Sequence, residues 1–146
     1  MRGFQGGFLL GGLVMLAACS SAEDNAPQAL PVKAMSLGGQ SLKVQIADDD
    51  AEREKGLMFV KAMAPDAGML FVWPQAQERS FWMRNTFIPL DLLFLRAGKV
   101  VSVVPWAKPF DETALPSGEP ADMVLEVNGG WAMAHNVNVG SEMSLK

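Results

Sequence analysis

Four polar residues interrupt an otherwise apolar run from Phe81 to Leu95. The run reads FWMRNTFIPLDLLFL, and its polar members are Arg84, Asn85, Thr86 and Asp91. A guanidinium, an amide and a carboxylate in such surroundings must find hydrogen-bond partners or take part in binding or catalysis, because burying them unpaired is costly. The run is therefore the first place to look for a functional site.

The relation between Arg84 and Asp91 depends on whether the chain turns between them. In one continuous strand, their separation of seven residues would place the two side chains on opposite faces of a sheet. A reversal over Thr86–Pro89 would instead place them opposite one another on paired strands. Pro89 favours the reversal, because proline has no N–H for a ladder and is typical of turns and strand ends. We therefore expect an ion pair.

This pair has two interpretations. In the first, a buried bidentate ion pair fixes the geometry of the corner. In the second, Arg84 lies at the mouth of a pocket and holds an anionic or hydroxylated ligand, while Asp91 orients that ligand and Trp82 forms an apolar wall. The expected binding residues are Trp82, Arg84, Asn85, Asp91 and Glu126.

Side chains that could carry catalysis are few. The single histidine, His135, excludes a centre with several histidine ligands, and Ser80 lacks a surrounding G-x-S-x-G turn. Asp91 and Glu126 both follow apolar neighbours, where desolvation raises the pKa of a carboxyl group, so a hydrolase with two carboxylates is an alternative function. Another alternative function is that of a structural scaffold protein of the cell envelope that binds no small ligand. We expect a binding module with no metal and no cofactor, and we assign no catalytic residue.

The N-terminus resembles a bacterial lipoprotein signal. Leu16-Ala17-Ala18-Cys19 is similar to a lipobox, and the apolar residues 8–18 before it are too few to cross a bilayer of ~30 Å. An ordinary secretion signal or a short membrane anchor is the alternative. We predict a signal peptide over residues 1–18, a lipid on Cys19, and a flexible tether over residues 19–40.

Composition limits the environment and the partners. Cys19 is the only cysteine, so its lipidation would leave no thiol for a disulfide, a nucleophile or a metal site. Ser20 and Ser21 follow it in place of aspartate, which resembles sorting to the outer membrane, so we predict a periplasmic location there. A net charge of -4 without a cluster of basic residues does not indicate the positively charged surface that binds nucleic acid. The expected partners are the membrane and a small polar ligand or an envelope protein.

Residues 41–146 are expected to form a single β-rich domain. Asp49 and Glu52 stand in capping-box register and predict a helix from Asp50 to Leu57, with a second helical turn over Trp131–His135. The predicted strands are Ser41–Ala47, Met69–Trp73, Arg79–Thr86, Leu90–Leu95, Val100–Val104, Met123–Val127 and Glu142–Leu145. Pro74 is expected to end one strand, and the proline-bearing residues 105–120 are expected to form a loop. The predicted fold is a mainly β, compact antiparallel sandwich or distorted barrel, similar to a jelly roll, with two short helices.

Several sequence blocks carry a family resemblance. They are R-x-x-G-L-M at 53–58, G-M-L-F at 68–71, F-W-M-R-N-T-x-I-P-L-D at 81–91, the Gly98 turn, and V-L-E at 124–126. On these blocks the chain resembles the domain of unknown function 192 family, from about residue 42 to residue 145. The resemblance implies a compact β-sandwich. It implies no activity, because the family is named for the lack of one.

Overall fold

A computed structural model describes residues 25–145 of this 146-residue protein. The described chain forms strands and helices with these bounds: β1 Val32–Leu37, β2 Gln40–Ala47, α1 Asp50–Lys55, β3 Ala67–Phe81, β4 Leu90–Arg96, β5 Lys99–Ala107, β6 Leu115–Asn128, α2 Trp131–Ala134 and β7 Met143–Leu145. The strands form one sheet in the order β5-β4-β6-β3-β2-β1-β7. The pair β2 and β3 is parallel, and the other pairs are antiparallel.

The sheet curls until the edge of β5 meets the chain that leads into β7. Val100 donates its N–H to the Ser141 carbonyl at 2.9 Å and accepts the N–H of Gly140 at 2.8 Å. The N–H of Met143 reaches the Gly98 carbonyl at 2.7 Å. These bonds satisfy backbone groups that an open sheet edge would leave unpaired. The prediction of a mainly β, barrel-like fold with two short helices is confirmed.

Apolar side chains line both faces of the sheet, so the protein has two cores. Because side chains alternate along a strand, Leu92 and Phe94 of β4 face one core while Leu93 and Leu95 face the other. We call these the α1-side core, which includes Leu57 just after α1, and the α2-side core, which α2 covers. Any site on the sheet must therefore belong to one face or the other.

Helix α1 starts where the capping box predicts. Asp49 accepts the Glu52 N–H at 2.8 Å, and the Glu52 carboxylate accepts the Asp49 N–H at 3.4 Å. The helix ends at Lys55 rather than at Leu57, because the following Gly56 leaves helical geometry with a φ of 48°. A Cβ at Gly56 would lie 3.3 Å from the Phe71 ring, so glycine lets the end of α1 pack closely against β3.

Two expectations about proline were wrong. Strand β3 continues past Pro74 to Phe81, because a register shift between Val72 and Gln77 accommodates the proline as a bulge. Pro116 and Pro120 lie in β6 rather than in a loop. The first half of β6 pairs with β3 alone, because β4 pairs only with residues 123–128. The other edge of this half has no partner strand, so a proline there, which lacks an N–H, costs no ladder hydrogen bond on that edge.

The folded part of the chain begins earlier than expected. Strand β1 lies within residues 19–40, which we assigned to the tether, and it pairs with β2 from Val32 opposite Gln45 to Leu37 opposite Gln40. The turn between them uses Gly38 and Gly39, both with positive φ, a glycine pair that is itself a hairpin signal. The predicted signal peptide and Cys19 lie outside the described residues. Among residues 25–145 there is no helix long and apolar enough to cross a bilayer.

Candidate functional site

The corner between Phe81 and Leu90 is not the hairpin that we expected. Strands β3 and β4 do not pair with each other, because β6 lies between them. Residues 82–89 form an irregular connection, in which the Thr86 N–H donates to the Met83 carbonyl at 3.1 Å and Asn85 has a φ of 52°. The predicted reversal over Thr86–Pro89 and the predicted ion pair between Arg84 and Asp91 are therefore wrong.

Asp91 is a buried structural carboxylate. Its Oδ1 accepts the backbone N–H groups of Trp106 and Gly130, and its Oδ2 accepts the N–H of Ala132, each at 2.9 Å. Asp91 is fully buried, and its partners lie at the end of β5 and at the start of α2. The side chain therefore ties β4 to both elements and does not reach a ligand site.

Arg84 is half exposed at the surface. Its guanidinium carbon lies 5.3 Å from the centre of the Trp82 ring, and its Nε lies 3.9 Å from a carboxylate oxygen of Glu112. With about half of each of these charged side chains in solvent, the ion pair is weak. Arg84 therefore lies at the surface with a weak partner in Glu112 and is not paired with Asp91.

A cavity of about 270 Å³ opens between α1, β3 and the connection that follows β3. Every sequence block behind the family resemblance contributes to its lining, except the Gly98 turn. The contributing residues are Arg53, Gly56, Leu57, Met58, Phe71, Phe81, Trp82, Arg84, Thr86 and Glu126. Blocks that are distant in sequence thus converge on one concave site.

Glu126 lines this cavity from the central strand β6. Its neighbours across the sheet are Met69 on β3 and Leu92 on β4, so it faces the α1-side core. The residue is 4% exposed, and its carboxyl group receives no hydrogen bond from the described residues. Desolvation by burial raises the pKa of Glu126 to about 8. At neutral pH the group is therefore a protonated acid that can both donate and accept a hydrogen bond.

Aromatic rings form the apolar wall of the cavity. The Phe71 and Phe81 rings meet edge to face at 5.1 Å, and the Trp73 ring lies 6.2 Å from Phe81. Arg53 packs against this wall. Its Nη1 donates to the Val72 carbonyl at 2.7 Å, and its guanidinium carbon lies 5.3 Å from the centre of the Trp73 ring. Arg53 and Trp73 were missing from our predicted site. The block at 53–58 could have pointed to Arg53, but no sequence signal marked Trp73.

A second depression, of about 510 Å³, adjoins the cavity and is lined by Asn85. The two share Glu54, Lys55, Met58, Trp82 and Arg84 on their common rim. Three of the predicted binding residues therefore lie around the cavity itself, a fourth lies beside it, and Asp91 lies elsewhere.

The two carboxylates of the alternative hydrolase, Asp91 and Glu126, do not share a site. Asp91 is opposite Val127 and Leu92 is opposite Glu126, so Asp91 and Glu126 point to different faces of the sheet. His135 packs its ring 4.6 Å from that of Trp131, with Nδ1 2.8 Å from the Trp131 carbonyl oxygen. Residues 25–145 contain no group of three or more His, Cys, Asp or Glu side chains placed to hold a metal ion.

Comparison with known proteins agrees with the family resemblance. One similar structure is a candidate transcription regulator from Sinorhizobium meliloti 1021, which is 33% identical, with a TM-score of 0.77 over 82% of this chain and 98% of that one. Another is a protein of unknown function from Novosphingobium aromaticivorans DSM 12444, 31% identical, with a TM-score of 0.75 over 86% and 98% of the two chains. A search of curated proteins found no match. The family model DUF192, described as "Uncharacterized ACR", matches residues 33–145, and the chain belongs to this family.

Proposed function

We propose that the domain binds a small polar molecule in the cavity beside Glu126. The observation that carries this proposal is a buried carboxyl group without a hydrogen-bond partner among the described residues, facing an open cavity with aromatic walls. A carboxyl group that loses most of its contact with solvent and gains no protein partner is costly, so its presence needs a reason other than stability. Its oxygens are not sealed off, since Arg53 Nε is the sealed side-chain atom without a partner among residues 25–145, and a ligand in the cavity that hydrogen-bonds to Glu126 would supply that reason.

The surroundings of Glu126 favour an uncharged or anionic ligand. The guanidinium groups of Arg53 and Arg79 lie 5.3 and 4.3 Å from the Trp73 ring centre, and that of Arg84 lies against Trp82. Because cations of the protein already occupy these rings, a cationic ligand would find no free aromatic face there. Asp50 and Glu54 also line the cavity, but the Asp50 carboxylate is already paired with Arg53 at 2.7 Å. A hydroxyl or carboxyl group can instead pair with the protonated acid, with Arg84 at the mouth.

The experiment is a thermal-shift measurement with defined probes: glucose, N-acetylglucosamine, glycerol and acetate. We expect at least one probe to raise the Tm of the protein near neutral pH. Glu126→Leu should abolish the shift, because leucine fills similar space without a polar group. Glu126→Gln should keep the shift, because an amide, like the protonated acid, both donates and accepts.

Arg96→Ala is the matched control for Arg84→Ala, since Arg96 is exposed at the end of β4 and does not line the cavity. We expect Arg84→Ala to weaken the shift and Arg96→Ala to leave it unchanged. The proposal fails if no probe raises the Tm, or if Glu126→Leu responds to the probe as the unmodified protein does.

We also propose that this binding domain is anchored in the cell envelope through a lipid on Cys19. The lipobox-like Leu16-Ala17-Ala18-Cys19 supports this, and Ser20 and Ser21 favour the periplasmic face of the outer membrane. Incorporation of labelled palmitate that is lost in Cys19→Ala would support the anchor, and equal labelling of both would contradict it. Transcriptional regulation, named for the relative from Sinorhizobium, is not proposed, because a net charge of -4 without a basic block does not favour DNA.

A further inference from the structure

Three phenylalanine side chains form an apolar surface beside the cavity. Phe87 packs against Phe110 at 5.0 Å and against Phe59 at 6.1 Å between ring centres, and we call the three the phenylalanine ledge. Phe110 is 56% exposed and Phe87 is 38% exposed. A cluster of exposed rings is more informative than a single exposed apolar residue, because it marks a surface that meets another apolar or interfacial phase.

The backbone holds the ledge in an unfavourable conformation. Phe59 and Phe110 have φ values of 67° and 61°, which bulky residues rarely adopt. The Phe59 N–H donates to the Asn85 carbonyl at 2.8 Å, and the Phe110 N–H donates to the Thr86 carbonyl at 3.2 Å. These bonds fix the backbone of both residues to the connection that forms the rim of the cavity, so the position of the ledge is built into the fold.

Gln28, close to the first described residue, is bound to the end of α1 near the ledge. Gln28 donates from Nε2 to the carbonyls of Glu52 and Gly56, both at 2.9 Å, and Gly56 is three residues before Phe59. Nine residues separate Gln28 from Cys19, so their fully extended length is at most about 30 Å. A domain of this size is roughly 35 Å across. A lipid on Cys19 would therefore keep the end of the domain that carries Gln28 and the ledge within about 30 Å of the bilayer surface.

Charged groups around the ledge suit a headgroup layer. Lys55 places its Nζ 4.9 Å from the centre of the Phe59 ring, and Lys108 is exposed two residues before Phe110. Asp111 and Glu112 are also nearby and partly offset these cations. Aromatic rings with lysines beside them are typical of segments that lie at a membrane interface.

We infer that the phenylalanine ledge docks on the lipid bilayer that holds the Cys19 anchor, so that the neighbouring cavity opens toward the lipid headgroups. The inference rests on the proposed lipid anchor. It does not depend on whether the cavity binds a probe.

The test uses the full lipidated chain in vesicles of phosphatidylethanolamine and phosphatidylglycerol. Since Cys19 is the only cysteine and its thiol is acylated, Phe110→Cys provides a single site for a nitroxide label. The control is Val139→Cys, because Val139 is 65% exposed and lines a separate groove near α2. We expect the label at 110 to be more accessible to oxygen than to a water-soluble nickel chelate, and the label at 139 to show the reverse.

Equal access of the nickel chelate to both labels, with the protein still on the vesicles, would overturn the docking inference. A label at 110 that the nickel chelate reaches in vesicles but not in native envelopes would indicate a protein partner, and would also overturn the docking inference. Failure of the chain to stay on the vesicles would refute the anchor itself. None of these outcomes bears on ligand binding, which the thermal-shift measurement tests separately.

Discussion

Glu126 and Asp91 are buried on neighbouring strands but face opposite sides of the same sheet. Asp91 accepts three backbone N–H groups, whereas Glu126 has no hydrogen-bond partner among the described residues. Two carboxyl groups that look alike in sequence therefore have different roles. Asp91 connects β4 to β5 and α2, and Glu126 places a buried carboxyl group at the cavity.

Removing Asp91 should destabilise the protein far more than removing Arg84. Asp91→Ala leaves the N–H groups of Trp106, Gly130 and Ala132 without their acceptor, and we expect a loss of about 3–5 kcal/mol in the free energy of unfolding. Arg84→Ala removes only an exposed, weakly paired side chain and should cost less than ~1 kcal/mol. Urea unfolding of both variants measures the difference. Similar losses for the two would mean that Arg84 contributes more to the fold than its exposed position indicates.

The stability of the protein should fall as pH rises from about 4.5 to about 8. An ordinary Glu has a pKa of 4.5, but burial raises that of Glu126 to about 8, so between these values the unfolded chain has released a proton that the folded chain keeps. The free energy of unfolding should therefore decrease across this range, by on the order of 4 kcal/mol, and level off above it. Chemical unfolding at several pH values measures the slope.

Glu126→Gln should remove this contribution to the slope, because glutamine does not ionise. Glu112→Gln is the control, since the Glu112 side chain is 62% exposed. An unchanged slope in Glu126→Gln would mean that Glu126 ionises normally in the folded protein.

Gly130→Ala should be more destabilising than Gly39→Ala. Both glycines have similar φ values, 85° and 81°, so the backbone strain of an alanine is similar, about 1–2 kcal/mol. A Cβ at Gly130 would lie 2.4 Å from the Trp106 ring, while a Cβ at Gly39 would meet nothing within 4 Å. Thermal unfolding should show a clearly larger drop in Tm for Gly130→Ala. Equal drops would mean that Trp106 moves away at little cost.

Asp49→Ala should destabilise the domain by about 1 kcal/mol, because it removes the side-chain acceptor for the Glu52 N–H at the start of α1. Asp48→Ala is the neighbouring control, since among residues 25–145 the Asp48 carboxylate takes part in no hydrogen bond and only its backbone does. Urea unfolding measures both. If the two variants lose the same stability, the capping box does not contribute to the fold.

Local signals predicted the elements well. The alternation in Ser41–Ala47 and the capping box of Asp49 and Glu52 depend on neighbours within a few residues, so they can be read from sequence. Non-local pairing could not be read in this way. Pro74 indicated a strand end and Pro116 a loop, but a bulge accommodates the first and a strand segment paired on one side accommodates the second.

The candidate site shows the same limit. Trp82, Arg84 and Glu126 were predicted and do lie around one cavity, because the blocks that carry them belong to elements that pack together. The ion pair of Arg84 and Asp91 was wrong, because it assumed that strands adjacent in sequence are adjacent in the sheet. The insertion of β6 between β3 and β4 is a property of the whole topology and has no local signal.

The most direct test of the account is an NMR titration of the side-chain carboxyl carbon of Glu126 in the folded protein. A buried, protonated acid that faces the cavity should titrate with a midpoint of about 8. Glu126→Gln identifies the signal by its absence. A midpoint near the ordinary value of 4.5 would show that Glu126 is charged at neutral pH, and would contradict the proposed site.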